Sequence, residues 1–359
     1  MGIHKGLRAR GRSFVDTVLV LDLQRRIALI ELEYINYQSW PIALPKSSTS
    51  SPLRKRQPMT IRPIRRLIDR LKAYPLVARL DWRLYLLRDL WATKIWSRTR
   101  ETLTPFGFKL TTRMHPAYEL MRNGNFEPNE TRIFVRLLEM VDVFVDIGAN
   151  LGYYCCFALQ RNKLVVAFEP QAQNLACLYQ NLTSNEWQDK VEVYPIALSS
   201  QPGLLTLFGA SGPSASLVKN WAGYSPLFEQ IVPANTLDNV LASRFQGNRL
   251  IIKIDVEGAE FNVLEGALAT VSRLPRPIWL IEVCLREYHP SGVNPDYLGI
   301  FNLFWDNGYR CFGADEKCTP ITPRDVQRWL ETGVRDVQTF NYVFIDQTVN
   351  LQAVMNAAG

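Results

Sequence analysis

The stretch Val143-Phe-Val-Asp-Ile-Gly-Ala-Asn-Leu-Gly152, followed by Leu164-Val-Val-Ala-Phe-Glu-Pro170, decides how the rest of the chain reads. An apolar run, a glycine turn and a second apolar run ending in an acid specify a strand, a helix opened by the turn, and another strand. In open parallel sheets this unit puts a nucleotide-like ligand at the carboxyl ends of the strands, where glycine admits a close approach and a carboxylate grips a ribose. Gly148 and Gly152 stand four apart with Asn150 between them, which departs from the G-x-G-x-x-G spacing that cradles a pyrophosphate. A ligand lacking a pyrophosphate needs only the close-approach turn and polar groups for an amino-acid end. Asp146 at the end of the first strand is placed to meet an ammonium. Glu169, seventeen residues after Gly152, can accept both hydroxyls of a ribose diol.

Outward from this unit, strands and helices alternate. The pattern predicts strand 143–147, helix 152–161, strand 164–169, helix 172–184, strands 191–198 and 204–208, a helix near 236–244, strand 250–255, helix 260–272, strand 278–284, helix 296–307, strand 309–313 and, after an irregular insert, strand 341–346. Such alternation specifies a doubly wound, mostly parallel sheet covered on both faces. Upstream, Pro105-Phe-Gly-Phe-Lys-Leu110 reads as a hairpin or short strand. Gly124-Asn-Phe-Glu-Pro-Asn-Glu-Thr131 leads into a helix that starts at Pro128 or Asn129 and carries Ile133, Leu137 and Leu138.

Several linked segments resemble the FkbM-type S-adenosylmethionine-dependent methyltransferases: Asp146-Ile-Gly-Ala-Asn-Leu-Gly-Tyr-Tyr154, Phe168-Glu-Pro170, Ala197-Leu-Ser199, Thr236-Leu-Asp238 and Ile252-Lys-Ile-Asp-Val-Glu-Gly-Ala-Glu260. Phe106-Gly-Phe and Phe126-Glu-Pro-Asn-Glu130 also sit where that family has such segments. The resemblance covers about residues 104–346. It implies a Rossmann-like class I methyltransferase that uses S-adenosylmethionine to methylate a hydroxyl on a sugar, glycan or secondary metabolite. By the matching motif, the cofactor would lie over Gly148, Asn150 and Gly152, with Asp146 near its methionine end, Glu169 on its ribose, and Glu127 and Glu130 closing over the methionine end. The family also places a loop such as Ser211–Ser216 beside the acceptor pocket.

A hydroxyl nucleophile needs a base or a metal to take its proton. Strand alternation puts Lys253, Asp255 and Glu257 on one side of an extended segment. Asp255 is the expected general base or metal ligand, and Glu257 its partner or a cap on the next helix. Glu282 ends the strand Ile278-Trp-Leu-Ile-Glu-Val283 at the same sheet edge. Asp255 and Glu282 together can hold a divalent cation or raise one another's pKa. His289 is the second candidate base, its plain alternative being a loop histidine. Tyr153, Tyr154, Cys155 and Cys156 follow the turn in helical register and are expected to pack on the sheet.

Of 359 residues, 47% are hydrophobic, enough for a sizeable core. Residues 1–100 carry 21 Lys and Arg against 7 Asp and Glu, leaving 20 against 27 for the remainder, so the basic character belongs to the N-terminal region. The expected division is a basic segment and linker over 1–57, basic amphipathic helices over 58–103, a methyltransferase domain over 104–348 and a tail over 349–359. Within the first segment, 17–23 and 27–34 read as strand-like runs and 45–52 as a linker. The basic helices suit packing on the domain, peripheral contact with an anionic membrane through residues 60–100, or nucleic acid, with the membrane ahead of nucleic acid. Six cysteines without a C-x-x-C pair fit reduced thiols in the cytoplasm, and three histidines without an H-x-x-x-H pattern give no expectation of zinc. Two other readings compete with the sugar or metabolite O-methyltransferase. One is a nucleic-acid methyltransferase that uses the basic region; the other is a non-catalytic membrane-surface or assembly protein that keeps the fold.

Overall fold

The computed structural model describes residues 98–356 apart from 114, 116, 210–214 and 224–228. The expected basic segment and linker over 1–57, the expected basic helices up to residue 97, and most of the Ser211–Ser216 loop lie outside the described residues.

The elements run β1 (Thr99–Leu103), β2 (Lys109–Arg113), α1 (Ala117–Arg122), α2 (Pro128–Leu138), β3 (Val143–Ile147), α3 (Tyr153–Gln160), β4 (Leu164–Phe168), α4 (Ala172–Ser184), β5 (Val191–Tyr194), β6 (Ala197–Leu198), β7 (Gly203–Phe208), β8 (Glu229–Asn235), α5 (Leu237–Leu241), β9 (Leu250–Ile254), α6 (Glu260–Glu265), α7 (Leu268–Ser272), β10 (Ile278–Glu282), α8 (Tyr297–Asp306), β11 (Tyr309–Gly313), β12 (Pro320–Ile321), α9 (Pro323–Thr332), β13 (Asn341–Asp346) and α10 (Leu351–Asn356). Eight strands form the central sheet in the order β12-β11-β13-β10-β9-β3-β4-β5. From β10 to β5 every neighbouring pair is parallel; β13 lies antiparallel between β10 and β11. The chain steps outward from β3 to β4 and β5, then returns to β9 on the other flank of β3. That reversal opens a crevice at the carboxyl ends of β3 and β9.

β3 and β9 are buried at every position, as strands covered on both faces must be. Their side chains alternate between two cores. Phe144, Ile251 and Leu280 face one side with Phe134, Tyr154 and Leu178, while Val145, Ile252 and Trp279 face the other with Phe301 and Phe304. Asp146 and Lys253 are register partners on neighbouring strands and share the face of Phe144 and Ile251. The same alternation puts Glu282 on the face of Leu280.

Several elements differ from expectation. β1 pairs with β2 as an antiparallel hairpin, so Thr99–Leu103 is strand where a basic helix was expected. The expected strand 191–198 divides. β5 stays in the central sheet, while β6 joins β7 and β8 in a separate three-stranded sheet. The expected helix 260–272 also divides, at Gly266. There an added Cβ would lie 2.2 Å from the Ser199 carbonyl oxygen, and the Asp238 carboxylate accepts from the amides of Ala269 and Thr270 to start α7 afresh. The irregular insert contains α9, whose Thr322 and Asp325 form a reciprocal capping box with Pro323 at the first helical position.

Candidate active site

The carboxyl ends of β3, β4, β9 and β10 surround a cavity of about 250 Å³. Its walls include Glu127, Asp146, Gly148, Asn150, Glu169, Asp255, Glu257 and Glu282, residues spread over most of the described chain. The sheet order is the reason: it sets four strand ends side by side, and each has an acid at or next to its last residue.

The glycine turn is shaped by its neighbours. At Gly148, φ is +85°, and an added Cβ would fall 1.9 Å from the Asp255 carbonyl oxygen, so only glycine lets the turn pass the end of β9. Asn150 also adopts a left-handed conformation at φ 52° and donates its backbone N–H to Glu169 Oε2 at 2.8 Å. Glu169 Oε1 accepts from the Gln171 amide at 2.8 Å. Glu169 is thus buried and fixed in orientation, while each oxygen keeps acceptor capacity beyond its one amide. Burial pushes its carboxyl up to about 7, against the pull of the Gln171 and Asn150 amides. Behind the turn, Tyr118 donates to Asn150 Oδ1 at 3.1 Å, and buried Arg113 donates to Tyr118 and Asn174. The segment ahead of β3 therefore braces the turn.

A buried lysine organises the floor. Lys253 Nζ lies 2.6 Å from Asp255 Oδ2 and 4.8 Å from the centre of the Tyr154 ring, and the residue is 2% exposed. Tyr154 in turn donates to Glu127 Oε2 at 2.5 Å. Desolvation raises Glu127 to about 7, opposed by Lys253 and assisted by Asp255; it raises Asp146 to about 6, opposed by Lys253. The Asp146 carboxylate also accepts from the Cys155 thiol at 3.0 Å. Lys253 stays protonated because its carboxylate neighbours outweigh its own burial. Six acids thus face the cavity with one lysine among them.

On the outer side, Glu257 sits at φ 58° and is held at two atoms. Trp221 Nε1 donates to its Oε2 at 2.7 Å, and the Ser216 hydroxyl donates to its carbonyl at 2.5 Å. Burial, then the nearby Asp255, pushes its carboxyl up to about 8. Glu282 is driven well above the carboxylate range by burial, then by Asp255 and Glu257. Glu257 does not cap the following helix. The Glu260 carboxylate takes the Gly258 amide instead, at 2.8 Å.

Some expected site residues lie elsewhere. Gly152 is not part of the cavity wall: its φ of +82° starts α3, and an added Cβ would meet Leu178 Cδ1 at 2.3 Å, so its small size serves helix packing. Glu130 accepts from the Thr339 hydroxyl at 3.1 Å and does not line the cavity. His289 packs edge-on against Trp221, with ring centres 5.8 Å apart, bonds Ser291 and lies off the cavity wall. A divalent cation between Asp255 and Glu282 finds no ligand set: among the described residues no group of three or more His, Cys, Asp or Glu is placed to hold a metal. The Lys253 ammonium already occupies Asp255. Tyr118, Lys253, Trp221 and Tyr288 receive no role from the sequence reading. Only Lys253 was signalled, by its alternation with Asp255; the others meet the site through tertiary contacts.

A central sheet with one reversed strand between β10 and β11, and an acid-lined crevice over β3 and β9, is the architecture of a class I methyltransferase. Residues 146–311 match the family model described as the methyltransferase FkbM domain. No curated protein matches the chain. Among solved structures, the chain is similar to a methyltransferase FkbM from Methylobacillus flagellatus KT, with 17% identity over 57% of this chain and 43% of that one and a TM-score of 0.37. It thus spans less than half the length of that protein. It is also similar to a precorrin-6y C5,15-methyltransferase from Geobacter metallireducens GS-15, with 13% identity over 50% of this chain and 71% of that one and a TM-score of 0.30. A third similar structure is WbdD, with 13% identity over 64% of this chain and 42% of that one and a TM-score of 0.35.

The family implies S-adenosylmethionine, and the donor set fits it. The cavity combines an oriented carboxylate at the end of β4 with an excess of acids over bases, which suits a ligand bearing a sulfonium and an ammonium.

Proposed function

We propose that the chain is an S-adenosylmethionine-dependent methyltransferase acting on a hydroxyl of a sugar, glycan or secondary metabolite. The observation that carries the reading is Glu169, buried at the end of β4 with its two oxygens oriented by the amides of Asn150 and Gln171 on the cavity wall. Glu169 would hold the ribose, Gly148 and Asn150 would pass beneath the ligand, and Asp146 and Glu127 would face its amino-acid end. When bound, the cofactor supplies an electrophilic methyl group.

The chain's own part is to align the acceptor hydroxyl and take its proton, and alignment alone is worth much of the barrier. Asp255, ion-paired with Lys253, is assigned the proton. Glu257, whose carboxyl burial pushes up to about 8, carries a proton at neutral pH and can donate a hydrogen bond to the acceptor, and burial raises Glu282 in the same direction. An acid-rich cavity opposes a phosphate-bearing acceptor, which argues against the nucleic-acid reading.

The basic N-terminal region supports peripheral membrane contact through residues 60–100. Six cysteines that are buried and free of disulfides support a cytoplasmic location, and no helix among the described residues is long and apolar enough to cross a membrane.

Calorimetry with S-adenosylmethionine tests the first step: wild type binds, and Glu169→Ala loses roughly 10- to 100-fold in affinity, the worth of a charged hydrogen-bonding group. Absence of binding by wild type sinks the reading. Mass spectrometry of glycans and metabolites from cells with and without the protein then seeks a species that gains one methyl group.

A further inference from the structure

The cavity has an outer rim that the cofactor reading leaves without a task. Three non-glycine residues in the left-handed region, Ala222 (φ 51°), Glu257 (φ 58°) and Tyr288 (φ 64°), come from three separate loops and meet there. They are tied together. The Ala222 amide donates to the Tyr288 carbonyl at 2.9 Å, and the Trp221 indole donates to Glu257. The Trp221 ring lies so close over Gly258 that an added Cβ would fall 2.3 Å from it. Such conformations persist only where surrounding contacts enforce them, and they cluster at ligand-binding positions.

The rim presents a particular chemistry. Tyr288 lines the cavity yet is 46% exposed, while Trp221 beside it, ring centres 6.3 Å apart, is buried. Tyr288 therefore offers an aromatic face at the entrance. Glu257 and Glu282 line the same cavity as the Tyr288 ring. An aromatic face in one cavity with hydrogen-bonding carboxyls matches a pyranose, which has an apolar face of C–H groups and a rim of hydroxyls. The excess of acids over basic groups around the cavity opposes phosphate and carboxylate groups.

We propose that Tyr288, positioned by the Trp221–Glu257 clasp, forms an acceptor subsite for one ring of a neutral sugar, and that the subsite discriminates against phosphorylated and uronic sugars. The proposal rests on the methyltransferase reading and deepens it by naming the acceptor class.

The test uses the full-length protein saturated with S-adenosylhomocysteine, whose own binding is first measured by calorimetry. Saturation-transfer NMR is then recorded with methyl hexopyranosides, hexose 6-phosphates and hexuronates. Transfer to the ring C–H protons of at least one neutral glycoside is expected, with affinity at least 10-fold above that of its 6-phosphate and uronate. The transfer should persist in Tyr288→Phe and be lost in Tyr288→Leu, which keeps bulk without an aromatic face. Equal or tighter binding of the charged sugars, undiminished transfer in Tyr288→Leu, or no glycoside transfer at all overturns the subsite. Failure of S-adenosylhomocysteine to bind counts against the methyltransferase reading itself and is seen before any sugar is added.

Discussion

Lys253 shows how much one buried side chain can determine. It bonds Asp255, lies against the Tyr154 ring and moderates the charge of Glu127 and Asp146. Lys253→Met removes one member of a buried ion pair and strands the other, which costs roughly 3–5 kcal/mol. The loss should depend on pH. Glu127 and Asp146, at about 7 and about 6, are largely ionised at pH 8 and largely neutral at pH 5.5, so the missing cation matters less in acid. Urea midpoints of wild type and variant at both pH values check this, and an equal loss at both would contradict the assigned network. The indole of Trp221 permits a narrower test at the rim. Trp221→Phe keeps an aromatic ring over Gly258 but leaves Glu257 Oε2 without its donor, for an expected cost of about 1–3 kcal/mol in urea unfolding.

At the scale of elements, what could be read from the sequence follows how local the signal is. β3, β4 and β9 are continuous apolar runs bounded by turns, and they lie where the pattern puts them because strands buried on both faces have no alternative composition. The acids Asp146, Glu169, Asp255 and Glu282 were legible for the same reason: each interrupts or ends such a run. Long-range contacts leave no such mark. Tyr118 reaches Asn150 from thirty-two residues away, and Trp221 reaches Glu257 across thirty-six, so neither role is written in a local pattern. α9 was missed although Thr322-Pro-Arg-Asp325 spells its capping box.

Gly152 illustrates a motif residue whose role is packing between elements. Gly152→Ala drives a methyl group against Leu178 on α4, so Leu178→Ala in the same chain should restore about 1 kcal/mol or more relative to the sum of the single effects. Gly148→Ala meets a backbone carbonyl instead, and no side-chain truncation can relieve it. A double-mutant cycle in urea that finds no coupling between 152 and 178 would refute the packing assignment.

The whole molecule carries the charge balance of its cavity as a dependence of stability on pH. Glu127, Glu169 and Glu260 at about 7, Asp146 at about 6 and Glu257 at about 8 all have folded-state carboxyls above their unfolded values near 4. The folded chain therefore binds more protons than the unfolded chain between those limits, and its stability falls as pH rises through them. Two histidines oppose this. Burial lowers His115 to about 4 and also lowers His289, so their contribution is lost as pH falls below the ordinary histidine value. Carboxylates held low by partners, such as Asp325 and Asp346, are lost in stronger acid still. The raised acids outnumber the two histidines and set the sign: without cofactor, the melting temperature should be higher at pH 5.5 than at pH 8 and should fall again below about pH 4. A cationic ligand reverses the burden. With S-adenosylmethionine present the melting temperature should rise more at pH 8 than at pH 5.5, because the ionised acids then face a positive charge. Thermal melts at the two pH values, with and without the ligand, measure both effects. A larger shift in acid would show that the carboxylates around this cavity do not meet the cofactor's charge.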